Sequence, residues 1–407
     1  MANTFKFGNG EWAVGKETAL AYNDENSNFK PLAFTFDRAS TATVVNKQGL
    51  IETVGTDEPR IDFLNNTKGD LLLEPERTNK NLFSTDFSQF TAVEATLDKS
   101  FTAPDGTLNA TKLTDNSVNS THRIIKTCTT SSSGSVTYSV FLKKGTMTNA
   151  VLNLFSGSTI GRATVDLDSG TITLNNGTSA DIEDYGDDWY RCSVTGTLGS
   201  TSTTIYVYMG DSTSSYVGTN QDLYVWGAQL EEGSYATSYI PTQGSAVTRS
   251  VDYTNIENSP ILQGTNQFTL FFEAKDFLLV NGTNSTFDNI MFVLGAGQSA
   301  YDSGTGIHIY NRTWYYFNGT SAVGIGVCYN GLTDGKFAIS YDGTRFTRYA
   351  GGIKLGEFVT SASMVNWDTI TTGAMGDAQN DERNFNLSDL RLYNTALTDA
   401  ELIQLTS

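Results

Sequence analysis

Side chains that switch between apolar and polar at every step leave a chain few ways to fold, and this chain switches repeatedly. Val136, Tyr138, Val140 and Leu142 alternate with Thr137, Ser139, Phe141 and Lys143 until Lys144-Gly145 ends the run. A period of two marks a strand, whereas a helix would need apolar residues three and four apart. The pattern returns where Ile205, Val207 and Met209 alternate with Thr204, Tyr206 and Tyr208. Val165-Asp166-Leu167 faces Ile172-Thr173-Leu174 across Asp168-Ser169-Gly170, which reads as a hairpin. Leu223 and Val225 alternate with Tyr224 and Trp226 as the end of a buried strand. Gly227 then removes a side chain where another backbone passes, and Pro241 stops the ladder. Many short strands with regular turn signals predict an all-β chain of sandwich or jelly-roll type.

Composition agrees with that expectation. Charged residues make up 17%, too few for long solvated helices, and only six prolines argue against a disordered or collagen-like chain. A length of 407 residues predicts two or three domains. Residues 1–80 hold short strands around Phe34-Thr35-Phe36, Pro59–Phe63 and Leu71–Pro75, with too few apolar positions to close a large core. They are expected to act as a small attachment or oligomerisation module. Residues 81–248 carry the regular alternation. Residues 249–407 repeat it with Phe268–Glu273, Trp314–Phe317, Val323–Val327 and Phe337–Tyr341, and with Leu390 and Leu392 alternating between polar neighbours. Thr398-Asp399-Ala400-Glu401 is a capping box and opens the one convincing helix.

The net charge of −18 disfavours phosphate backbones and anionic membrane surfaces, so no nucleic-acid partner and no membrane insertion are expected. Three cysteines (Cys128, Cys192 and Cys328) lack CxxC spacing, which argues against a disulfide framework or zinc site; Cys192 reads as a buried thiol. The first residues lack an apolar signal-peptide core, predicting cytoplasmic synthesis without a signal.

Three blocks carry a resemblance. Phe36–Thr43, Gly49–Glu52, Pro59–Phe63 and Leu71–Asn79 resemble the N-terminal module of tailed-bacteriophage fibre and head-spike proteins. Trp226–Gly233 running on to Tyr239–Thr242, with Tyr138–Gly145 and Trp189-Tyr190-Arg191, resembles the carbohydrate-binding-type jelly roll that follows it. Phe337–Gly352 and Leu387–Thr398 are similar to the laminin-G/concanavalin-A-like lectin sandwich. The resemblance implies a virion surface appendage, such as the head fibres of crAss-like phages, displaying glycan-binding-type modules for adhesion to host or environmental polysaccharide. It implies as partners other virion proteins of capsid or tail, sister chains in a homotrimer, and host-surface glycans. A decoration or collar protein without sugar binding, and a polysaccharide depolymerase, are the alternatives.

Sugars present CH faces that stack on aromatic rings and hydroxyls that need polar partners. Trp314, Tyr315, Tyr316 and Trp367 are the candidate carbohydrate platforms, because Trp314-Tyr315-Tyr316 puts rings on both faces of one strand. Trp226 and Trp189 are expected in the core. Asp377, Asn380 and Asp381 form a loop cluster whose oxygens suit calcium, the one cofactor the sequence admits; otherwise none is expected. Asp181, Glu183, Asp184, Asp187 and Asp188 read as a solvated turn. With two histidines (His122 and His308), no nucleophile signature and no Glu-x-Asp-x-Glu strand, no enzyme is expected.

Overall fold

The computed structural model describes residues 4–9, 13–15, 18–20, 22–23, 28–29, 35–256, 266–275, 290–295, 305–310, 313–318, 321–327, 335–360, 369–373 and 385–407. The described chain is predominantly strand, with one α-helix at Asp399–Thr406. It divides into two compact units. The terminal unit comprises Met1–Thr41, Val54–Glu76 and Ser250–Ser407; the central unit comprises Ala42–Thr53 and Arg77–Arg249.

Within the central unit, Arg77–Arg249 forms a two-sheet sandwich. One six-stranded sheet runs in the order Thr91–Val93, Arg123–Thr129, Ser202–Met209, Asn149–Phe155, Thr159–Asp166, Thr171–Asn176. The other runs Ala95–Phe101, Ala110–Asp115, Asp222–Glu232, Ser135–Lys144, Trp189–Thr197, Ser179–Asp184. The alternating residues meet between them. Val136, Tyr138, Val140 and Leu142 join Ile205, Val207 and Met209 in one core that also holds Cys192 and Val225. Asp166 and Thr171 pair across the expected hairpin. Arg77–Asn79 and Val247–Arg249 pair antiparallel, with Arg77 opposite Arg249, so the chain enters and leaves this stretch side by side.

The terminal unit is also a sandwich. Its seven-stranded sheet runs from Ala322–Val327 through Thr313–Asn318, Thr305–Tyr310, Ile290–Gly295, Thr369–Gly373 and Tyr253–Ile256 to Thr35–Asp37. The facing ten-stranded sheet is centred on Phe268–Lys275 and Phe385–Tyr393. Phe268, Leu270, Phe272, Leu390 and Leu392 pack against Ile307, Ile309, Trp314 and Tyr316 between them.

Strands from residues 1–80 find their partners far along the chain. Thr4–Gly8 pairs with the Asp389–Tyr393 half of the last strand, while Leu71–Leu73 pairs with its Phe385–Leu387 half. Phe36, Leu71 and Leu73 are members of the same core as Leu390. The shortage of apolar positions noted in the sequence is met by lending strands to the C-terminal sandwich, and Ala42–Thr53 belongs to the central unit.

Candidate functional site

The residues that carry the sequence resemblance are largely occupied in holding each unit together internally. In the terminal unit, Arg60 Nη1 donates to Glu74 Oε2 at 2.7 Å and its other amino group pairs with Asp252. Arg38 Nη1 reaches Asp252 Oδ1 at 3.0 Å, and the Glu74 amide donates to Asp252 Oδ2 at 3.0 Å. Burial alone would lower the Arg60 pKa; the carboxylates of Asp252 and Glu74 more than offset it, so the guanidinium stays charged. In the central unit, Glu231 accepts from the Gln229 side chain and the Thr237 amide, and Arg249 donates to the Thr237 and Ser238 hydroxyls. Trp226 lies against Tyr239, centroids 4.5 Å apart, with its Nε1 donating to Asn109 Oδ1 at 2.6 Å. Gly227 adopts a φ of +62°, and a Cβ there would stand 2.7 Å from Phe141.

The expected platforms fare unevenly. Trp314 and Tyr316 are 1% and 5% exposed and belong to the inter-sheet core, which removes them as solvent-facing rings. Alternation is legible in the sequence, but which parity faces inward is not. Tyr315 takes the opposite face and stacks on His308, centroids 5.5 Å apart and nearly parallel at 9°. Trp367, Asp377, Asn380 and Asp381 lie outside the described residues. Among the described residues no cluster of His, Cys, Asp or Glu is placed to hold a metal ion.

A better-built surface is the outer face of the Arg123–Thr129 sheet, which sequence reading leaves unassigned. Its register sets two rows across the strands. Arg123, Tyr208, Val151 and Thr164 form one; Ile125, Tyr206, Asn153 and Arg162 form the next. Directly opposed residues share a face, so these side chains stand together on the side away from the core. The Tyr206 and Tyr208 rings stack at 5.6 Å and 19°. Arg123 lies over both, its Cζ 5.9 Å and 5.2 Å from the two centroids. Tyr208 is thereby largely covered, and the half-buried Tyr206 is the ring left to a ligand. Arg123 Nη1 donates to Thr121 Oγ1 at 2.8 Å, while its buried Nε has no hydrogen-bond partner among the described residues. Arg162 Nε donates to Asn153 Oδ1 at 3.0 Å, and Phe155 extends the face at 39% exposure. Burial pushes the Tyr206 hydroxyl up, so it remains a neutral donor and acceptor at ordinary pH. Flat rings, guanidinium groups and an amide on one rigid sheet suit stacking and hydrogen bonding to a polyhydroxylated ligand. The signal is present in the sequence: Tyr206 and Tyr208 are two apart in an alternating strand and therefore neighbours on one face.

The terminal unit has an open cleft of about 700 Å³ between the C-terminal helix and the last strand. Several of its charged groups already have partners. Arg391 pairs with Asp389 at 2.5 Å, Lys275 with Asp70 at 3.1 Å, and Lys68 with Asn9 at 2.7 Å. It offers a ligand less unspent chemistry than the tyrosine face.

No protein-family model matches the chain, and no curated protein matches it. Solved structures do. The binding domain of Paraclostridial Mosquitocidal Protein 1 is 14% identical over 38% of this chain and 40% of that one, with a TM-score of 0.28. Trypanosoma rangeli sialidase in complex with the inhibitor DANA is 13% identical, covering 97% of this chain and 77% of that one at a TM-score of 0.26. Mouse laminin α1 domains LG4-5 are 10% identical over 66% and 86%, at 0.25. The chain spans two fifths of the first of these. At such TM-scores the likenesses carry no argument about ligand or reaction.

Proposed function

We propose that this chain is a non-enzymatic glycan-binding protein, and that saccharide stacks on the Tyr206–Tyr208 face of the central unit. The observation that carries the reading is the parallel tyrosine pair capped by Arg123 and flanked by Asn153 and Arg162. The carboxylate that shares that face's register is Asp166, whose Oδ1 accepts the Asp168 and Ser169 amides at 2.9 Å and 3.2 Å. Hydrogen bonding, led by Ser169, holds its pKa below the usual value. A glycosidase's general acid needs the opposite shift, which favours binding over hydrolysis.

The setting we propose is the surface of a tailed-phage virion, as a head or tail fibre or spike assembled as a homotrimer. The support is the sequence resemblance of the Phe36–Thr43, Leu71–Asn79 and Trp226–Thr242 blocks. A glycan array with the purified chain tests the binding. Tyr206→Ala should lower affinity by about thirtyfold, roughly 2 kcal/mol, while leaving the melting temperature within a few degrees. Binding that survives this substitution unchanged overturns the assigned face. Release of new reducing ends from a bound polysaccharide overturns the non-enzymatic reading.

A further inference from the structure

Resting on that reading, we infer that the saccharide this face prefers is acidic, carrying carboxylate or sulfate groups. Among the described residues the arginines fall into three groups. Arg38, Arg60, Arg345 and Arg391 each meet a carboxylate within salt-bridge distance. Arg77, Arg191, Arg249 and Arg348 are buried, out of a ligand's reach. Arg123 and Arg162 differ from both groups. They are half-buried, and their partners are hydroxyls and an asparagine carbonyl, all neutral. In a chain with 44 acidic residues against 26 basic ones, these two accessible guanidinium groups, with no acid against them among the described residues, form a local exception to a repulsive field.

The acids around the face are engaged elsewhere. Asp166 caps its own hairpin, and Glu94, which follows the edge strand Thr91–Val93, accepts from the Asn116 side chain at 2.7 Å. The half-buried Arg123 guanidinium meets the Thr121 and Tyr208 hydroxyls, and a ligand carboxylate can add the charged partner in the planar fork geometry guanidinium favours. Placement adds a length. The Arg123 and Arg162 strands are separated by two intervening strands, on the order of 14 Å between backbones, with Arg123 leaning over the tyrosine rings and Arg162 towards Asn153. Two cationic groups on one sheet face suit an oligosaccharide that carries more than one acid.

The test is calorimetric titration of the full chain at low ionic strength. The probes are oligogalacturonate, its methyl ester, a heparin-derived oligosaccharide and a neutral xylo-oligosaccharide. The acidic probes should bind at least about tenfold tighter than the methyl ester and the neutral chain, and the margin should shrink in salt. Arg162→Gln and Arg123→Gln should each cost the acidic probes about tenfold more affinity than they cost the neutral chain. Arg123→Lys should recover part of the loss, and melting curves of all variants identify any that fail to fold. Equal affinity for the free acid and its ester, or binding of the neutral chain alone, overturns the acidic preference and leaves the glycan reading standing. Absence of binding to every probe, acidic and neutral, overturns both.

Discussion

Asp252 sits between two arginines, Arg38 and Arg60, and also accepts the Glu74 amide, so one carboxylate joins three separate stretches of the terminal unit. Asp252→Asn would leave buried guanidinium charge uncompensated. The expected cost is about 3–5 kcal/mol, read as a lowered urea midpoint for that unit. His308 supplies a second prediction. Burial pushes its pKa down to about 4, so the unfolded chain takes up a proton at higher pH than the folded one does. The resulting stability is present in full above the ordinary histidine value and is lost as pH falls from about 6.5 towards 4, by up to roughly 3 kcal/mol. His308→Phe keeps a ring on Tyr315 and should flatten that slope in urea titrations at about pH 7 and pH 4.5. Neither partnership is legible in the sequence. Arg38, Arg60, Glu74 and Asp252 stand there as motif letters and polar punctuation, and nothing local says that residues 214 positions apart share one buried network. Trp226 is different. Its alternation with Val225, followed by glycine, already argues burial, and the structure packs it against Tyr239.

At the scale of elements, local signals succeed wherever the stabilising partners are also local. The Thr398–Glu401 box forms with both reciprocal bonds, because its donors and acceptors lie within one helical turn. Leu71-Leu72-Leu73 is readable as a strand, but its partner, Phe385–Leu387, lies more than three hundred residues downstream. Pairing over that distance leaves no periodic trace, which is why the first 80 residues read as a module of their own. A fragment of residues 249–407 loses Phe36, Leu71 and Leu73 from its core and one flank of its last strand. It should lack a cooperative thermal transition. A fragment of residues 77–249 retains its whole apolar core and should melt cooperatively by circular dichroism. A cooperative transition in the C-terminal piece alone would count against the shared sandwich.

For the molecule as a whole, the proposed trimer is checked by light scattering, which should return three times the chain mass at micromolar concentration; a monomer there removes it. The all-β class follows from alternation and turn chemistry, since both are set within a few residues. The order of strands in the sheets is beyond reach for the opposite reason. The division of the chain has a mechanical corollary. The backbone passes from one unit to the other between residues 41 and 42, 53 and 54, 76 and 77, and 249 and 250. Two units joined by a single peptide strand are severed by one protease cut. Here the backbone crosses four times, and a cut at any one crossing leaves three covalent tethers between the units.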